Sequence, residues 1–331
     1  MLFAPVMCYR IPGNYSDRFA NLIIGCLNWR LTSAYRQSTG GIINYINPES
    51  FSEKIQTRKI FDRNSIFTVH CDKLAAAEFA IARCPELRAP KLLWKGTDAN
   101  LIPFDQLKPP YIIKPTHMSG KTYIVRTHED LNIKAARRSC AKWLRRSYGR
   151  SHGEWAYSHV PRQIIVEELL PGPTANSPPI DYRFYVFNGK IQFIKTTVER
   201  GGVWHHTCFD PDWGRLPYTF WRGKKKGDSR FAPTIESMEP PPSLNKMLKI
   251  AEQLGKNIDF VRVDLYNVDG VIYFGELTHY DASGHSIYFL ENSKRATYPE
   301  RNIDIMMGHW WQQPQLSPWT KVKLALKACL A

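Results

Sequence analysis

Two short turn sequences in the C-terminal half do most to limit how this chain can fold. Asn188-Gly189 separates two β-rich runs within residues 182–198, and Asn267-Val-Asp-Gly270 separates two more within 260–277. Asn-Gly and Asp-Gly readily adopt the left-handed conformations that tight hairpin turns require. Both pairs of runs are therefore predicted to form antiparallel hairpins.

The middle of the chain alternates between helical and extended patterns. A helix is predicted after Asp72, a candidate N-cap, because apolar residues recur there at helical spacing. The runs 111–114 and 122–126 flank a seven-residue polar loop and predict another hairpin. Residues 130–146 have the composition of a helix with a basic face, and 162–170 have that of a buried strand containing acidic residues.

Composition and charge limit the class of protein. The 331 residues are 43% hydrophobic and 23% charged, which excludes a disordered or fibrous chain. The formal net charge of +15 favours an acidic partner without choosing among nucleotides, nucleic acids, anionic lipids and acidic polymers. Seven cysteines without a C-x-x-C spacing indicate neither a zinc ribbon nor a disulfide framework. No apolar run is long enough for a membrane helix and no signal peptide is recognisable, so we expect a cytoplasmic protein.

Acidic residues in the last hairpin are candidates for a metal site. With a two-residue loop at Val268-Asp269, Asp264 and Glu276 would point to opposite faces of the sheet. With a three-residue loop ending in a bulge at Gly270, Glu276 would face Arg262, and Asp264 would lie one diagonal step away on the same face. Two carboxylates so placed could hold a hard cation, although an ion-pair ladder with Arg262 is the simpler interpretation of these residues alone.

The loop after Lys114 is a candidate phosphate site. Backbone N–H groups in a tight polar loop can surround an anion, and a lysine adds a point charge. The loop contains a single glycine, Gly120. An ordinary hairpin loop is therefore the simpler interpretation of this segment taken alone.

Three other features have weaker claims to a function. Arg200 could contact a transferred acyl-phosphate or only form a surface salt bridge. His205 and His206 point to opposite faces of a strand, so we do not expect them to form a metal site with Cys208. The pair Trp310-Trp311 could stack on a sugar ring, but we expect it to cover the edge of a core.

Several short sequence motifs follow one another along the chain. Their order is more specific for a protein family than any single motif. They are Asn47–Lys54, Asp72-Lys73, Ile113–Gly120, Val166–Glu168, Asp181–Lys190, Phe260–Tyr266 and Tyr273–Thr278. In this order they resemble the ATP-grasp superfamily, and in particular its TupA-like group, which is linked to teichuronopeptide and capsular polysaccharide assembly. The resemblance spans about residues 45–290.

The resemblance implies an α+β ATP-grasp fold, in which two α+β lobes clasp ATP beside a short N-terminal lobe. We accordingly expect an N-terminal lobe over 1–100, a small ATP-grasp lobe with the phosphate loop over 101–165, and a C-terminal ATP-grasp lobe with the metal site over 166–310. A C-terminal tail helix is expected over 311–331. Residues 1–50 show no clear periodicity, and no element is predicted there.

The resemblance also implies which residues bind the nucleotide. Two lysines would hold its phosphates, a mobile loop over 115–121 would close over ATP, an interlobe segment would recognise adenine, and an Asp-x-Arg pair would meet ribose and phosphate. In that order these residues are Lys73 and Lys114; His117, Ser119 and Gly120 within the loop; Glu167, Glu168, Leu169 and Leu170; and Asp181 with Arg183. Thr116 and Met118 stand where the family loop commonly has Asn and Gly, which puts the mobility of the loop in question.

A metal pair and two arginines complete the implied site. Asp264 and Glu276 would bridge Mg²⁺, which prefers one or two carboxylates together with phosphate oxygens. Arg262 would stabilise the charge that develops during acyl transfer, and Arg200 is a second catalytic candidate. Thr278 stands where many ATP-grasp enzymes have a metal-ligating Asn.

These roles imply an ATP-dependent carboxylate–amine ligase that acts through an acyl-phosphate and forms a C–N bond. The carboxylate would belong to a uronic-acid-containing or other acidic cell-surface polysaccharide or peptide, and the second substrate would be an amine or amino acid. The basic clusters at 134–150 and 222–226 would suit such a polyanion. A peripheral position at the inner face of a membrane, in contact with polysaccharide assembly, is a further expectation.

Two alternatives remain open. The chain could bind polyanions, either nucleic acid or a membrane surface, through the same clusters and a basic amphipathic tail at Lys321–Lys327. No nucleic-acid motif supports this, so no nucleic-acid partner is expected, and a polyanion binder would have no use for an acidic pair beside Arg262. The chain could also be an ATP-grasp enzyme with a phosphotransfer role other than ligation.

Overall fold

The computed structural model describes residues 14–174, 177–200, 202–220, 233–286, 288–291 and 302–330. Its helices are α1 (Tyr15–Leu27), α2 (Trp29–Thr39), α3 (Phe51–Phe61), α4 (Ile66–Cys71), α5 (Lys73–Arg83), α6 (Ile133–Arg145), α7 (Tyr148–His152), α8 (Trp155–Ser158), α9 (Leu244–Gly255), α10 (Asn302–Trp310) and α11 (Pro318–Leu330). Its strands are β1 (Leu92–Gly96), β2 (Tyr111–Pro115), β3 (Tyr123–Val125), β4 (Ile164–Glu168), β5 (Asp181–Phe187), β6 (Lys190–Arg200), β7 (Val203–Phe209), β8 (Arg215–Leu216), β9 (Tyr218–Phe220), β10 (Phe260–Val268), β11 (Val271–Thr278) and β12 (Tyr288–Leu290).

The chain divides into two compact units. One combines Met1–Asp62 with Ala282–Ala331, and the other is Arg63–Asp281. The four-part division expected from the sequence stays a prediction. No helix within the described ranges is long and apolar enough to cross a bilayer.

The first unit is built around helices α1, α3, α10 and α11. Helix α1 packs along α11, and α3 packs against α10. Ser50 and Glu53 form a capping box at the start of α3, which satisfies the N–H groups exposed at the helix end. Asp304 on α10 accepts hydrogen bonds from both the backbone and the hydroxyl of Ser52, at 3.1 and 2.6 Å, and so joins the two helices.

Two residues of the C-terminal segment, Trp311 and Lys321, are buried in this unit. Trp311 is fully buried against Phe51 and the guanidinium of Arg58, as expected for a residue that covers a core. Lys321 is also buried, and its ammonium donates to the carbonyls of Tyr45 and Ile46 at 3.1 and 2.7 Å. Lys321 is therefore not available to the basic amphipathic tail considered for polyanion binding, because its ammonium satisfies two core carbonyls.

The second unit contains two antiparallel sheets. The strand orders are β1-β4-β2-β3 and β11-β10-β5-β6-β7-β8. The hairpin of β2 and β3 is confirmed, with Tyr111 opposite Val125. Helix α5 begins as predicted, since the Asp72 side chain accepts from the Leu74 N–H at 3.0 Å.

The basic segment at 134–150 is not one helix. Helix α6 ends at Arg145, and α7 begins at Tyr148 after a break around Arg146. Helix α6 buries Ala136, Cys140 and Trp143 and leaves its basic side toward solvent. The second basic cluster, Arg222–Lys226, lies outside the described residues.

Both C-terminal hairpins turn through two residues with positive φ, at Asn188-Gly189 and at Asp269-Gly270. Val268 pairs with Val271, so neither loop considered for the last hairpin, Val268-Asp269 or a three-residue loop, is correct. Type I′ geometry needs two left-handed residues, and the sequence Asp-Gly supplies them better than Val-Asp.

A bulge inside the last hairpin, rather than at its turn, sets the register. The pairing shifts by one residue between Asp264 and Leu265, and Asp264 then lies directly opposite Glu276. Gly275 occupies the bulge, where an added Cβ would come within 2.8 Å of the Asp264 carbonyl oxygen. The two carboxylates therefore share one face of the sheet, as the three-residue loop would also have required. The bulge that puts them there is at Gly275, however, and not at Gly270.

Gly275→Ala tests this bulge. The new methyl group would press on the backbone of β10, and we expect the free energy of unfolding to fall by about 1–3 kcal/mol in urea titrations. The matched control is Gly25→Ala inside α1, where the nearest atoms would be 3.9 Å from the new Cβ. That change should leave stability unchanged or raise it by up to ~1 kcal/mol. Equal midpoints for wild type and Gly275→Ala would show that the bulge does not require glycine.

Candidate functional site

One face of the six-stranded sheet is apolar and the other carries charge. Side chains alternate between faces along a strand. Tyr182, Phe184 and Val186 of β5, with Val263 and Leu265 of β10, therefore lie on the face that packs with residues of α5 and α9. The intervening residues face the other way and form what we call the charged face: Asp181, Arg183, Lys195, Arg262, Asp264 and Glu276.

Arg262 is the centre of the charged face. Its guanidinium binds Asp264 through two hydrogen bonds of 2.7 and 2.6 Å, and it binds Glu276 at 2.5 Å. It also donates to Asp281, which follows β11. Arg262, Asp264 and Asp281 are buried, whereas the side chain of Glu276 keeps 35% of its surface exposed. One buried cation therefore holds three carboxylates, and one of the three reaches solvent.

Burial and charge act in opposite directions on these carboxylates. Burial raises the pKa of Asp264 to about 7, in spite of the Arg262 guanidinium beside it. Burial also acts to raise the pKa of Glu276, but Arg262, Lys73 and a hydrogen bond from Thr278 outweigh it and lower that pKa to about 2. Glu276 is therefore a stable anion near neutral pH, while the charge of Asp264 is only partly compensated.

The carboxylates of the charged face fit a magnesium ion whose remaining ligands come from a nucleotide. Asp264 and Glu276 are direct cross-strand neighbours, and hard carboxylate oxygens suit Mg²⁺. Each carboxylate has about four lone-pair sites, so the bonds to Arg262 leave acceptor capacity on both. Within the described ranges, no group of three or more His, Cys, Asp or Glu side chains could hold a metal. Phosphate oxygens would have to complete the coordination.

The two predicted phosphate lysines lie at the four-stranded sheet and its loop. Lys114 on β2 forms an ion pair with Glu167 on the adjacent strand β4. The ammonium of Lys73, at the start of α5, donates to the carbonyl of Met118 in the loop. Burial lowers the pKa of Lys73, and the negative charge of Glu276 acts to raise it. The loop, Lys73 and the charged face thus interact electrostatically within one unit.

The predicted phosphate loop is anchored along its first half. The Thr116 hydroxyl donates to the Pro161 carbonyl at 2.7 Å, and the backbone N–H of Thr116 donates to Gln163 at 2.9 Å. Met118 is fully buried in the core beside the four-stranded sheet. The His117 ring is buried too, with Nε2 at 3.1 Å from the Trp143 carbonyl. The side chain of His117 therefore points into the core, and only its backbone could contact a phosphate.

The second half of the loop is open to solvent. Ser119 is half-buried, and residues 120–122 are exposed. Gly120 has φ +65°, and a Cβ added there would have no atom within 4 Å. Glycine is therefore favoured by the left-handed backbone conformation and not by a lack of space. The solvent-exposed part of the loop is thus 120–122, with Ser119 at its boundary.

The predicted adenine segment, residues 167–170, spans the end of β4. Glu168 accepts a hydrogen bond from the backbone of Lys91 at 2.7 Å, which ties its carboxylate to the chain before β1. The Leu169 N–H donates to the Pro110 carbonyl at 3.2 Å, and Leu170 is buried. Glu167 is directed at Lys114 as described above. Which of these groups would meet an adenine stays a prediction.

Asp181 and Arg183 form a pair on β5. The Arg183 guanidinium binds Asp181 at 2.7 and 2.8 Å and approaches Asp264 at 3.7 Å. Burial lowers the pKa of Arg183, but Asp181 and Asp264 outweigh this and raise it overall. The pair therefore lies beside the Arg262 cluster, and its contacts with ribose and phosphate stay a prediction.

Arg200 does not join the other candidates. It is exposed at the end of β6, opposite Val203. The pairing of β6 with β7 is regular over this stretch, so Arg200 and Lys195, five residues apart, point to opposite faces of the sheet. The structure places Lys195, and not Arg200, on the charged face.

Lys195 and Asp281 were missed by the sequence analysis. Lys195 is opposite Arg183 and buried, with its ammonium 4.6 Å from the centre of the Phe220 ring. Burial lowers its pKa to about 8, against the opposing field of Asp281. A regular hairpin around Asn188-Gly189 would have put Lys195 on the other face, but a bulge beside Tyr185 shifts the register by one residue. No motif signalled either residue.

A buried histidine pair was missed as well. His70 at the end of α4 and His279 after β11 are both buried, and His70 Nδ1 lies 2.9 Å from His279 Nε2. Phe67 stacks on the His279 ring with centroids 4.0 Å apart. Burial, with a smaller effect from Arg83, lowers the pKa of His70 to about 4. The pair therefore links α4 to the strand end that carries Glu276.

A comparison with family models identifies the chain. The model described as TupA-like ATPgrasp matches residues 53–297, which is more than half of the sequence. The chain belongs to this family, and its α+β fold of two antiparallel sheets with helices is the ATP-grasp fold. No curated protein matches the chain.

Solved structures give more distant likenesses. The D-alanine–D-alanine ligase of Bacillus anthracis complexed with ATP is 15% identical over 79% of this chain and 66% of that chain, with a TM-score of 0.37. The ATP-grasp ligase PsnB complexed with its minimal precursor is 13% identical over 73% and 61%, at 0.37. The D-alanine–D-alanine ligase of Helicobacter pylori is 11% identical over 80% and 70%, at 0.41. The chain spans less than two thirds of the length of the first two, and at these scores the likeness does not extend to activity.

Arg262→Met tests the centre of the charged face. Removal of the guanidinium leaves Asp264 and Asp281 buried without their main cation, so we expect a loss of about 3–5 kcal/mol of unfolding free energy. Lys190→Met is the control, because it breaks an ion pair with Glu252 in which the lysine side chain is 73% exposed. That loss should be below ~1 kcal/mol. Similar losses in urea titrations of the two variants would contradict the central role of Arg262.

His70→Phe tests the histidine pair by its pH dependence. A folded-state pKa of about 4, against ~6.5 in the unfolded chain, means that the unfolded state binds the extra proton first. The contribution of His70 to stability is therefore present above pH 6.5 and is lost between pH 6.5 and 4, by about 3 kcal/mol. The variant should lose this part of the acid dependence, and His309→Asn, at an exposed position, should keep it. An unchanged slope in His70→Phe would refute the assignment.

Proposed function

We propose that this protein is an ATP-dependent carboxylate–amine ligase. The observation that carries the proposal is the direct pairing of Asp264 with Glu276 around the buried guanidinium of Arg262. A site for binding a polyanion needs cations and has no need for two carboxylates on the same face as its arginines. A site for a triphosphate with Mg²⁺ needs both.

Three basic residues of this unit would bind and orient the phosphates. Lys73 and Lys114 would hold phosphate oxygens from the side of the loop, and Arg183 would do so from the side of the sheet. Asp264 and Glu276 would hold Mg²⁺, which supplies charge neutralisation of the phosphates when it is bound. Residues 119–122 would cover the phosphates and limit the access of water, which strengthens electrostatic interactions in the site.

The proposed reaction has two steps. A substrate carboxylate attacks the γ-phosphate of ATP, which gives an acyl-phosphate and ADP. An amine then attacks the acyl carbon and phosphate leaves, so that an amide forms. Arg262, which binds both carboxylates, would stabilise the oxyanion of the second step, and its fixed position would require little rearrangement.

The carboxylate would belong to a uronic-acid-containing or other acidic glycan or peptide. The net charge of +15 and the basic side of α6 support an acidic substrate. A role in cell-surface polysaccharide assembly, with the protein at the inner face of a membrane, rests on the resemblance to the TupA-like group.

The nucleotide and metal roles are tested by thermal unfolding with Mg-ATP. We expect wild type to be stabilised by about 2.7 kcal/mol at 100 times its Kd. Glu276→Gln retains the shape of the side chain but removes its charge, so most of the Mg²⁺-dependent part of the shift should disappear. Glu252→Gln is the control, because this glutamate of the same unit is half-buried like Glu276 but pairs with Lys190, and it should show the full shift.

Ligation is then measured as phosphate release. Candidate uronates and acidic peptides are added in the presence and absence of amines. Release that requires both substrates supports the ligase, whereas ADP formation with a phosphorylated product favours phosphotransfer alone. Absence of any Mg-ATP shift in wild type would contradict the proposal and favour a polyanion-binding protein.

A further inference from the structure

An apolar stripe covers the solvent side of α1. Tyr15, Phe19 and Leu22 recur at helical spacing and are 91%, 56% and 62% exposed. The opposite side of the helix already supplies Ala20 and Ile24 to the core. These exposed side chains are therefore surplus to the packing of the unit, and contiguous apolar surface of this kind marks an interaction site.

Helix α11 extends the stripe. Phe19 and Trp319 lie with ring centroids 6.5 Å apart, and at the other end of the helix pair the Cys329 thiol donates to the Leu27 carbonyl. The two helices thus run side by side. Trp319 and Leu326 are 50% and 45% exposed.

The charges around the stripe are almost all positive. Arg18 of α1 and Lys323 and Lys327 of α11 are exposed. Helix α11 contains no acidic residue, and the single acid of α1, Asp17, lies at its N-terminal turn. We call the combination of the apolar stripe with these three cations the α1–α11 surface.

We propose that the α1–α11 surface docks on a membrane that contains anionic lipid. Aromatic and aliphatic side chains flanked by Lys and Arg match the boundary between acyl chains and anionic headgroups. A soluble polyanion would leave the stripe exposed to water. A second copy facing its equivalent would bring Arg18, Lys323 and Lys327 against identical charges. The inference is independent of the ligase activity, because it concerns the other unit and requires no nucleotide.

Flotation with lipid vesicles tests the proposal on the full chain. We expect binding to vesicles of 70% phosphatidylcholine and 30% phosphatidylglycerol, and much weaker binding to pure phosphatidylcholine. Leu22→Ser with Trp319→Ser should weaken binding at least ~10-fold, because two buried apolar groups are lost. Leu101→Ser, at a position 70% exposed in the other unit, is the matched control and should bind like wild type.

The cationic part is tested separately. Arg18→Gln with Lys323→Gln and Lys327→Gln should lower the partition coefficient on the order of 100-fold. The control removes the same charge from exposed positions on and after α9, as Lys246→Gln with Lys249→Gln and Lys256→Gln. Circular dichroism melts check that all variants are folded.

Three results would overturn the proposal. The first is the absence of binding to anionic vesicles, and the second is an equal loss in the α9 control, which would show dependence on net charge alone. The third is a dimer in vesicle-free solution that Leu22→Ser with Trp319→Ser converts to a monomer, which would assign the surface to a second copy. Vesicle binding that requires the α1–α11 residues, without dimerisation, supports the proposal whether or not the ligase activity is found.

Discussion

The site depends on one buried cation. Arg262 holds Asp264, Glu276 and Asp281 together, and each of these carboxylates reaches it from a different part of the last hairpin and the segment that follows. Buried charges are tolerated when they are paired and hydrogen-bonded, and here the arginine fork can satisfy several acceptors at once. The arrangement leaves Glu276 charged and partly exposed while Asp264 remains incompletely compensated. This imbalance makes the pair a suitable partner for a further cation.

Much of this fold could be predicted from residue patterns, but its register could not. The turns at Asn188-Gly189 and Asp269-Gly270 are encoded by local backbone preferences, which act within four residues. Each hairpin then contains a bulge that shifts the pairing by one residue, at Gly275 in one case and beside Tyr185 in the other. Gly275 is a local mark of the first bulge, because an isolated glycine inside a strand often occupies one, but no such residue marks the bulge beside Tyr185. The shifts put Glu276 and Lys195 on the charged face, so Glu276 was placed there for the wrong reason and Lys195 was missed.

The N-terminal helices could not be predicted from the sequence for a different reason. Helix α1 has apolar residues on its core side and on its solvent side, so its period of 3.6 residues is blurred. Lys321 shows the converse case, because a basic residue in a basic helix satisfies buried carbonyls in the core. In both cases tertiary contacts, rather than helical propensity, decide which side of the helix faces the core. The family resemblance, by contrast, could be identified from the order of short phrases, since it does not depend on register.

The anchored half of the proposed phosphate loop has an entropic consequence. Thr116, His117 and Met118 are held by the surrounding core before any ligand binds. Fixing the backbone of a residue costs about 1–2 kcal/mol in conformational entropy, so a loop with three such residues begins about 3–6 kcal/mol closer to its ordered form. In the proposed ligase, ordering would then involve the exposed residues 120–122 and the half-buried Ser119. Thr116 and Met118 thus restrict the motion of the loop and hold its first half in an ordered conformation.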